Sequence, residues 1–216
     1  MMEEHAVVRS PDGGEAHLAR FISCIFHPLL MPTYGFILLF CTQNYLSTFL
    51  PLNIKIILIA LLFLFTFIFP ALNAIILLKM GSIKSLEMED PKERLLPYGT
   101  TFLYYIALLY LLYKLHFPVI FTMIVLGGAC CILLTLLINL KWKISAHMVG
   151  VGGISGAMLA LFYRLQSDLL LPFIIIILIA GIIGYARLKL NAHRPVQVYT
   201  GFLMGFLAQL ILILFY

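Results

Sequence analysis

Three residues near the end of the chain have the types and spacing of an anion-binding site. Arg187 is followed after five residues by His193, and Gln197 comes four residues after that histidine. Asn191 is a candidate N-cap and Pro195 suits a first helical turn, so His193 is expected at a helix start with Gln197 on the same face. The amide oxygen of Gln197 could then accept from His193 Nδ1–H and leave Nε2 free. A guanidinium, a helix N-terminus and an oriented imidazole together suit a phosphate group.

A second cluster precedes a glycine-rich segment. Ser145, Ala146 and His147 are followed by MVGVGGISG, residues 148–156. Glycines at a helix start allow close helix approach and expose backbone N–H groups, so the segment can hold an anion. His147 would be a second histidine at the membrane surface, placed to protonate a leaving oxygen. The alternative is an interfacial histidine beside Trp142 in an aromatic belt.

The third group of polar residues is SIKSLEMEDPKERLLPY, residues 82–98, which supplies Arg94 with Lys84 and Lys92 nearby. Each basic residue alone could be an interfacial anchor whose charge reaches the headgroups. Two arginines and two histidines on one face of a membrane protein instead favour a shared anion site.

The composition of the chain indicates which secondary structure must position these groups. The chain is 63% hydrophobic and 11% charged, and apolar stretches without a formal charge separate the polar clusters. Each stretch could cross a bilayer as a helix, which needs about 20 residues, and none alternates as a barrel strand would. We therefore predict an all-α, polytopic transmembrane bundle with seven spans, or six if 144–163 is half-buried. The stretches are 21–54, 56–78, 95–113, 115–140, 144–163, 169–186 and 195–216.

The three polar clusters are predicted to share one side of the membrane, because two crossings separate each cluster from the next. Of the Lys and Arg residues, only Lys55, Lys114 and Arg164 fall on the opposite side. We expect an integral protein of the bacterial inner membrane, and this bias predicts that the clusters lie on the cytoplasmic face. The net charge of +5 therefore reflects flanks of membrane spans and does not indicate nucleic-acid binding.

Other features bound the organisation of the chain. Residues 1–16 read as a polar N-terminal tail and 17–216 as the transmembrane domain. All four cysteines lie in apolar runs, where we expect small buried side chains rather than disulfides or a zinc site. Gly201 and Gly205 form a G-x-x-x-G step that would let the last span pack closely on a neighbour, in this chain or another copy.

In this order and spacing the clusters resemble the type 2 phosphatidic acid phosphatase superfamily, whose pattern is K-x6-R-P, then P-S-G-H, then S-R-x5-H-x3-D. Arg187, His193 and Gln197 reproduce the spacing of the third motif, with Ala186 for its serine and Gln197 for its aspartate. The second motif reads Ile-Ser-Ala-His, ending at His147. The resemblance covers roughly residues 80–205.

The resemblance implies a membrane phosphatase, without metal or cofactor, for lipid phosphates or diphosphates such as phosphatidic acid or polyprenyl diphosphate. It implies His193 as the nucleophile that forms a phosphohistidine and His147 as the acid. Gln197 would orient His193. The phosphoryl oxygens would be held by Arg94, Arg187, Lys92 and the backbone of Ser145 and Ala146.

The sequence departs from the family pattern in two informative ways. Leu95 follows Arg94 where the first motif has proline, and Glu87 stands in place of its lysine. In the third motif an amide at Gln197 can orient an imidazole but cannot stabilise its positive form, and loss of that charge costs other triads about four orders of magnitude. The departures favour a second hypothesis, a weak or inactive relative that binds or moves a phospholipid.

A third hypothesis starts from the acidic residues of EMEDPKE, residues 87–93. They could bind a diphosphate through magnesium, as membrane prenyltransferases do, although such sites take carboxylates from more than one segment.

Overall fold

The computed structural model describes residues 13–86, 88, 90–166 and 168–216, with the backbone alone of Pro91. Within these ranges there is no strand, and seven helical segments are long and apolar enough to cross a membrane. The all-α transmembrane bundle with seven spans is thus confirmed. The spans are Gly14–Cys41, Leu52–Lys79, Lys92–Lys114, Val119–Asn139, Ala146–Leu165, Leu170–Lys189 and Pro195–Phe215.

The α-helices are α1 (Gly14–Ile25), α2 (Met31–Cys41), α3 (Tyr45–Phe49), α4 (Leu52–Phe63), α5 (Phe69–Lys79), α6 (Leu95–Lys114), α7 (Val119–Asn139), α8 (Ala146–Leu165), α9 (Leu170–Lys189) and α10 (Pro195–Phe215). Helix α1 begins inside the predicted tail of residues 1–16 and overlaps it at 14–16. The remainder of that tail, residues 1–12, lies outside the described residues, as do Glu87 and Glu89.

The first span is broken between α1 and α2. Pro28 disfavours helical backbone at the residue before it, and His27 accordingly has an extended conformation, φ −62° and ψ 137°. A 3-10 turn, Pro28–Leu30, then leads into α2. Thr66, in the π-helical turn that joins α4 to α5, donates its hydroxyl to the Leu29 carbonyl at 3.1 Å. The break therefore has its own hydrogen bonds within the bundle and a fixed position.

Helix α8 is the centre of the bundle and packs against α10 through glycines. A Cβ on Gly152 or Gly156 would overlap the main-chain carbonyls of Phe202 or Phe206 on α10. From the other side, a Cβ on Gly201 would lie 2.9 Å from the Ser145 carbonyl. The close approach predicted for these glycines is confirmed, and the neighbour of the last span is α8 of the same chain.

The turn between α9 and α10 differs from the prediction for Asn191. Asn191 has φ +51° and donates its N–H to the Leu188 carbonyl at 3.0 Å, and the next N–H, that of Ala192, bonds to the Arg187 carbonyl at 3.2 Å. Asn191 thus terminates α9 in the left-handed conformation, which asparagine tolerates. The N-cap of α10 is Arg194, three residues later, so the predicted capping role of Asn191 is wrong.

The cysteines follow the prediction only in part. All four are free, and Cys131 is buried, but Cys24 and Cys41 are exposed on the outside of the bundle. The expectation of a buried position was wrong for these two, because an apolar run alone does not say which side of a membrane helix faces its neighbours.

Candidate functional site

His193 and Gln197 are joined as the sequence predicts. His193 lies two residues before α10, with 8% of its surface exposed, and Gln197 occupies the first turn of that helix. The distance from His193 Nδ1 to Gln197 Oε1 is 3.3 Å. An amide oxygen only accepts, so Nδ1 carries the proton and Nε2, across the ring, keeps its lone pair. Nε2 has no hydrogen bond from the described residues.

The direction of the Gln197 amide is fixed by a second hydrogen bond. The backbone N–H of Arg194 donates to Gln197 Oε1 at 3.0 Å. Because that N–H can only donate, a reversed amide would set one donor against another. The main chain of the helix start therefore holds the amide oxygen, and through it the His193 tautomer.

His147 is held from the first span. Its Nε2 lies 3.1 Å from the main-chain carbonyl of Ser23 on α1, so the neutral ring carries its proton on Nε2. Its own helix is tied to His193's helix, since Ser145 donates its N–H to the Gln197 carbonyl at 3.4 Å. His147 and His193 lie within electrostatic reach of each other, with Arg187 acting on both. The second and third sequence clusters therefore meet.

Both predicted arginines reach the same place. Arg187 donates Nη1–H to the Ser23 hydroxyl at 3.2 Å. Arg94 is 8% exposed and donates Nε–H to the Met88 carbonyl at 2.8 Å, and its charge acts on the Tyr98 phenol. These bonds hold two guanidiniums at the membrane surface, where planar donors suit phosphate oxygens.

Charge and burial act on His193 in the same direction. Burial lowers the pKa of His193 most, and the positive charges of Arg187, Lys143 and Arg94 lower it further, to about 3, while the hydrogen bond to Gln197 opposes them. The ring is thus neutral near pH 7, with a lone pair on Nε2 in a positive field. A neutral imidazole in such a field is suited to attack or hold an anion.

The side chains of Arg94, Lys143, His147, Arg187 and His193 form one group, called the basic cluster below. Not every predicted phosphate ligand belongs to it. Lys92 is exposed, and the lysine whose charge acts on His193 is Lys143. The Lys92 N–H donates to the Asp90 carboxylate, which caps the 3-10 turn Pro91–Arg94, and the role of the Lys92 side chain stays a prediction. The Ser145 N–H is already used by the Gln197 carbonyl, which corrects its predicted role as a phosphate donor.

At the start of α8, other polar groups are still directed inward. Ser145 Oγ is buried and has no hydrogen-bond partner in the described structure. The N–H of Ala146, the first residue of α8, has no acceptor within the helix. In this segment Ser145 Oγ and the Ala146 N–H are therefore the groups that lack a hydrogen-bond partner in the described structure.

The two described acidic residues of the first cluster, Asp90 and Glu93, have contacts of their own. Glu93 pairs with Lys84 at 4.0 Å, and the Asp90 carboxylate accepts from the main chain. Glu87 and Glu89 lie outside the described residues. In the described part of the chain no three His, Cys, Asp or Glu side chains are grouped to hold a metal ion.

Two spaces adjoin the cluster. An open cleft of about 540 Å³ is lined by Lys143, His193, Arg194 and Gln197. A separate apolar cavity of about 140 Å³ begins at Pro28, Tyr98 and Ala146, next to the polar side chains, and extends inward to Leu39 and Leu161. Ala146 and Leu161 are fifteen residues apart on α8, or about 22 Å along the helix. A polar surface site thus sits at the end of an apolar space within the membrane.

Sequence reasoning missed the contribution of the first span. Ser23 engages both His147 and Arg187, and the His27 ring lies 5.9 Å from that of His147. The available signal was the dipeptide His27-Pro28 inside a membrane-length apolar run, since polar groups at such depth are costly and often functional. Tyr98 and Lys143 left no comparable signal, because tyrosine and lysine at a membrane boundary are common.

Comparison of the chain with protein-family models, curated proteins and solved structures finds no significant match.

Proposed function

We propose that this protein is a metal-independent phosphatase for lipid phosphates or diphosphates, working through a phosphohistidine. The observation that carries the proposal is the 3.3 Å bond from His193 Nδ1 to Gln197 Oε1. It gives the residue proposed as nucleophile the tautomer that nucleophilic attack needs, with the charges of Arg187, Lys143 and Arg94 on the same ring.

Binding would be electrostatic. A phosphate monoester at headgroup depth carries negative charge, and the arginines and Lys143 offer donors that favour it over the neutral headgroup of a product alcohol. The same donors would stabilise charge on the equatorial oxygens as the phosphoryl group transfers.

The proposed chemistry has two steps. First, the His193 Nε2 lone pair forms an N–P bond while the P–O bond to the lipid breaks. His147, which takes up a second proton only when the negatively charged phosphate binds, gives its Nδ1 proton to the leaving alkoxide and keeps Nε2–H on the Ser23 carbonyl. Second, water attacks phosphorus while the N–P bond breaks and returns its electron pair to His193 Nε2. The water loses a proton to the now neutral His147, and inorganic phosphate is released. No metal ion or cofactor is required.

The apolar cavity supports an amphiphilic substrate. Its polar end adjoins Tyr98 and Ala146, so a lipid whose phosphate lay on the basic cluster could extend a chain inward. Phosphatidic acid, phosphatidylglycerol phosphate and polyprenyl diphosphate all have this form.

A second candidate function is phospholipid binding or movement without hydrolysis. Two observations favour it: the residue beside His193 is an amide rather than a carboxylate, and the Nε2–H of His147 is engaged by Ser23. Such a protein would bind a lipid phosphate at the same cluster and leave the ester intact.

One experiment separates the two functions. Purified protein in nanodiscs is given phosphatidic acid, phosphatidylglycerol phosphate and polyprenyl diphosphate in turn, and phosphate release and lipid retention are both measured. Hydrolysis predicts release that His193→Ala abolishes and that His116→Ala, an exposed histidine on the opposite side of the membrane, leaves intact. Retention of lipid with equal background release in all three proteins would reject hydrolysis and favour the binding function.

We further propose that the protein lies in a bacterial inner membrane with the basic cluster on the cytoplasmic face, because most lysines and arginines lie on that side. In a variant whose native cysteines are replaced, Lys84→Cys should react with an impermeant maleimide only after the cells are opened. Lys55→Cys should react in intact cells with a permeabilised outer membrane. The reverse pattern would invert the orientation.

A further inference from the structure

The break in the first span brings a third imidazole to the basic cluster. The ring centroids of His27 and His147 lie 5.9 Å apart at an interplanar angle of 73°. The charge of Arg187 acts on both rings, and its guanidinium donates to the hydroxyl of Ser23, the residue whose carbonyl binds His147. His27 is only partly buried, and the next residue, Pro28, lines the polar end of the apolar cavity.

The main chain fixes which nitrogen of His27 carries the proton. His27 Nδ1 accepts the backbone N–H of Leu29 at 3.3 Å, so Nδ1 keeps its lone pair and the neutral ring is protonated on Nε2. In His147 the Nε2–H is already engaged by the Ser23 carbonyl. Within the described structure, His27 is the member of this pair whose N–H has no acceptor, and the positive charge of Arg187 acts on its ring.

We propose that His27 is a phosphate-binding residue that donates Nε2–H to a phosphoryl oxygen. This inference rests on the proposed function and adds a ligand that none of the three sequence clusters contains. It also supplies a phosphate contact that the first motif lacks, because Glu87 stands in place of the motif's lysine and Lys92 is exposed. A neutral donor from the first span supplies the additional contact at headgroup depth, for an orthophosphate or a phosphate monoester.

A merely structural role for His27 makes a different prediction, and two substitutions separate the roles. His27→Asn keeps a side-chain acceptor for the Leu29 N–H, because asparagine is a good N-cap, but it does not reach the Nε2 position. His27→Gln reaches that position with an amide N–H and gives up the cap. His17→Asn, an exposed histidine of the same span, is the matched control.

The test is the Kd for inorganic phosphate, measured by calorimetry on the full-length protein in nanodiscs. The proposal predicts binding weakened about tenfold by His27→Asn, because a hydrogen bond to a charged group is lost, and largely kept by His27→Gln and His17→Asn. A defect in His27→Gln with none in His27→Asn would assign a capping role and overturn the proposal. Equal affinity in all four proteins, or no phosphate binding by any, would also overturn it.

This experiment does not need turnover. Phosphate binding that depends on His27, together with no phosphate release from any lipid, would reject the proposed hydrolysis and leave the assignment of His27 in place. Release that depends on His193 but a Kd that is indifferent to His27 would do the opposite. Melting temperatures of the four proteins show whether each is folded.

Discussion

His147 donates Nε2–H to the main-chain carbonyl of Ser23, with 3.1 Å between the two atoms. The bond crosses from α8 to α1, and the hydroxyl of the same serine accepts from Arg187 on α9. One residue of the first span thus fixes an imidazole and a guanidinium supplied by two other helices. The first span belongs to the site as much as the three clusters that carry its motifs.

The amide of Gln197 leads to the first prediction. Gln197→Ala removes the acceptor for His193 Nδ1–H, and we expect phosphate release to fall about tenfold or more as the ring loses its tautomer. Gln197→Glu keeps an acceptor for the Arg194 N–H and adds a negative charge that stabilises the imidazolium, so release should rise at least about tenfold. Steady-state kcat measures both. A Glu variant slower than the Ala variant would contradict the proposed orientation.

The second prediction concerns pH. Because the pKa of folded His193 is lowered to about 3, the folded protein binds this proton less readily than the unfolded chain, whose histidine has its ordinary pKa near 6.5. The contribution of His193 to stability is therefore complete above about pH 6.5 and is lost as pH falls from 6.5 towards 3. NMR titration of [¹⁵N]-histidine protein should show His193 neutral at pH 5. A midpoint above pH 6 would contradict the buried, positive environment.

The third prediction tests how α8 and α10 position the site. A Cβ on Gly205 would overlap the Val149 carbonyl, so Gly205→Ala must separate the helices and with them Ser145 from Gln197. We expect a lower melting temperature and at least a tenfold loss of phosphate release. Gly181→Ala is the control, because nothing lies within 4 Å of its added Cβ. Equal losses in both variants would show that the close packing is not what positions the site.

The fourth prediction concerns the apolar cavity. Ala157→Phe places a ring inside it, eleven residues from the start of α8. KM for a long-chain lipid phosphate should rise severalfold, while a short-chain soluble analogue should keep its KM, because its tail does not reach Ala157. A rise for both substrates would indicate general distortion by overpacking rather than an occupied cavity.

Sequence reasoning was most successful where the pattern is local or periodic. Apolar length gave the seven spans, and the i,i+4 spacing of His193 and Gln197 gave their hydrogen bond. The even number of crossings between clusters put them on one side of the membrane. Glycine spacing predicted a close helix pair, because small residues allow two helix backbones to approach closely.

The same reasoning failed where tertiary contacts decide. Asn191 ends α9 instead of capping α10, because a left-handed residue was needed to close the turn. Lys92 is exposed, and the lysine whose charge acts on His193 is Lys143, from the segment before α8. The roles of Ser23 and His27 depend on which helix packs beside the break in the first span. No spacing in a single sequence carries that information.

The most direct measurement of the central claim is detection of the phosphorylated histidine. Protein mixed with a ³²P-labelled lipid phosphate is quenched in alkali, which preserves phosphohistidine, and the labelled peptide is mapped. We predict label on Nε2 of His193 that is absent in His193→Ala and present in His116→Ala. Phosphate release without label at His193, or label that survives His193→Ala, would contradict the assignment of His193 as the nucleophile.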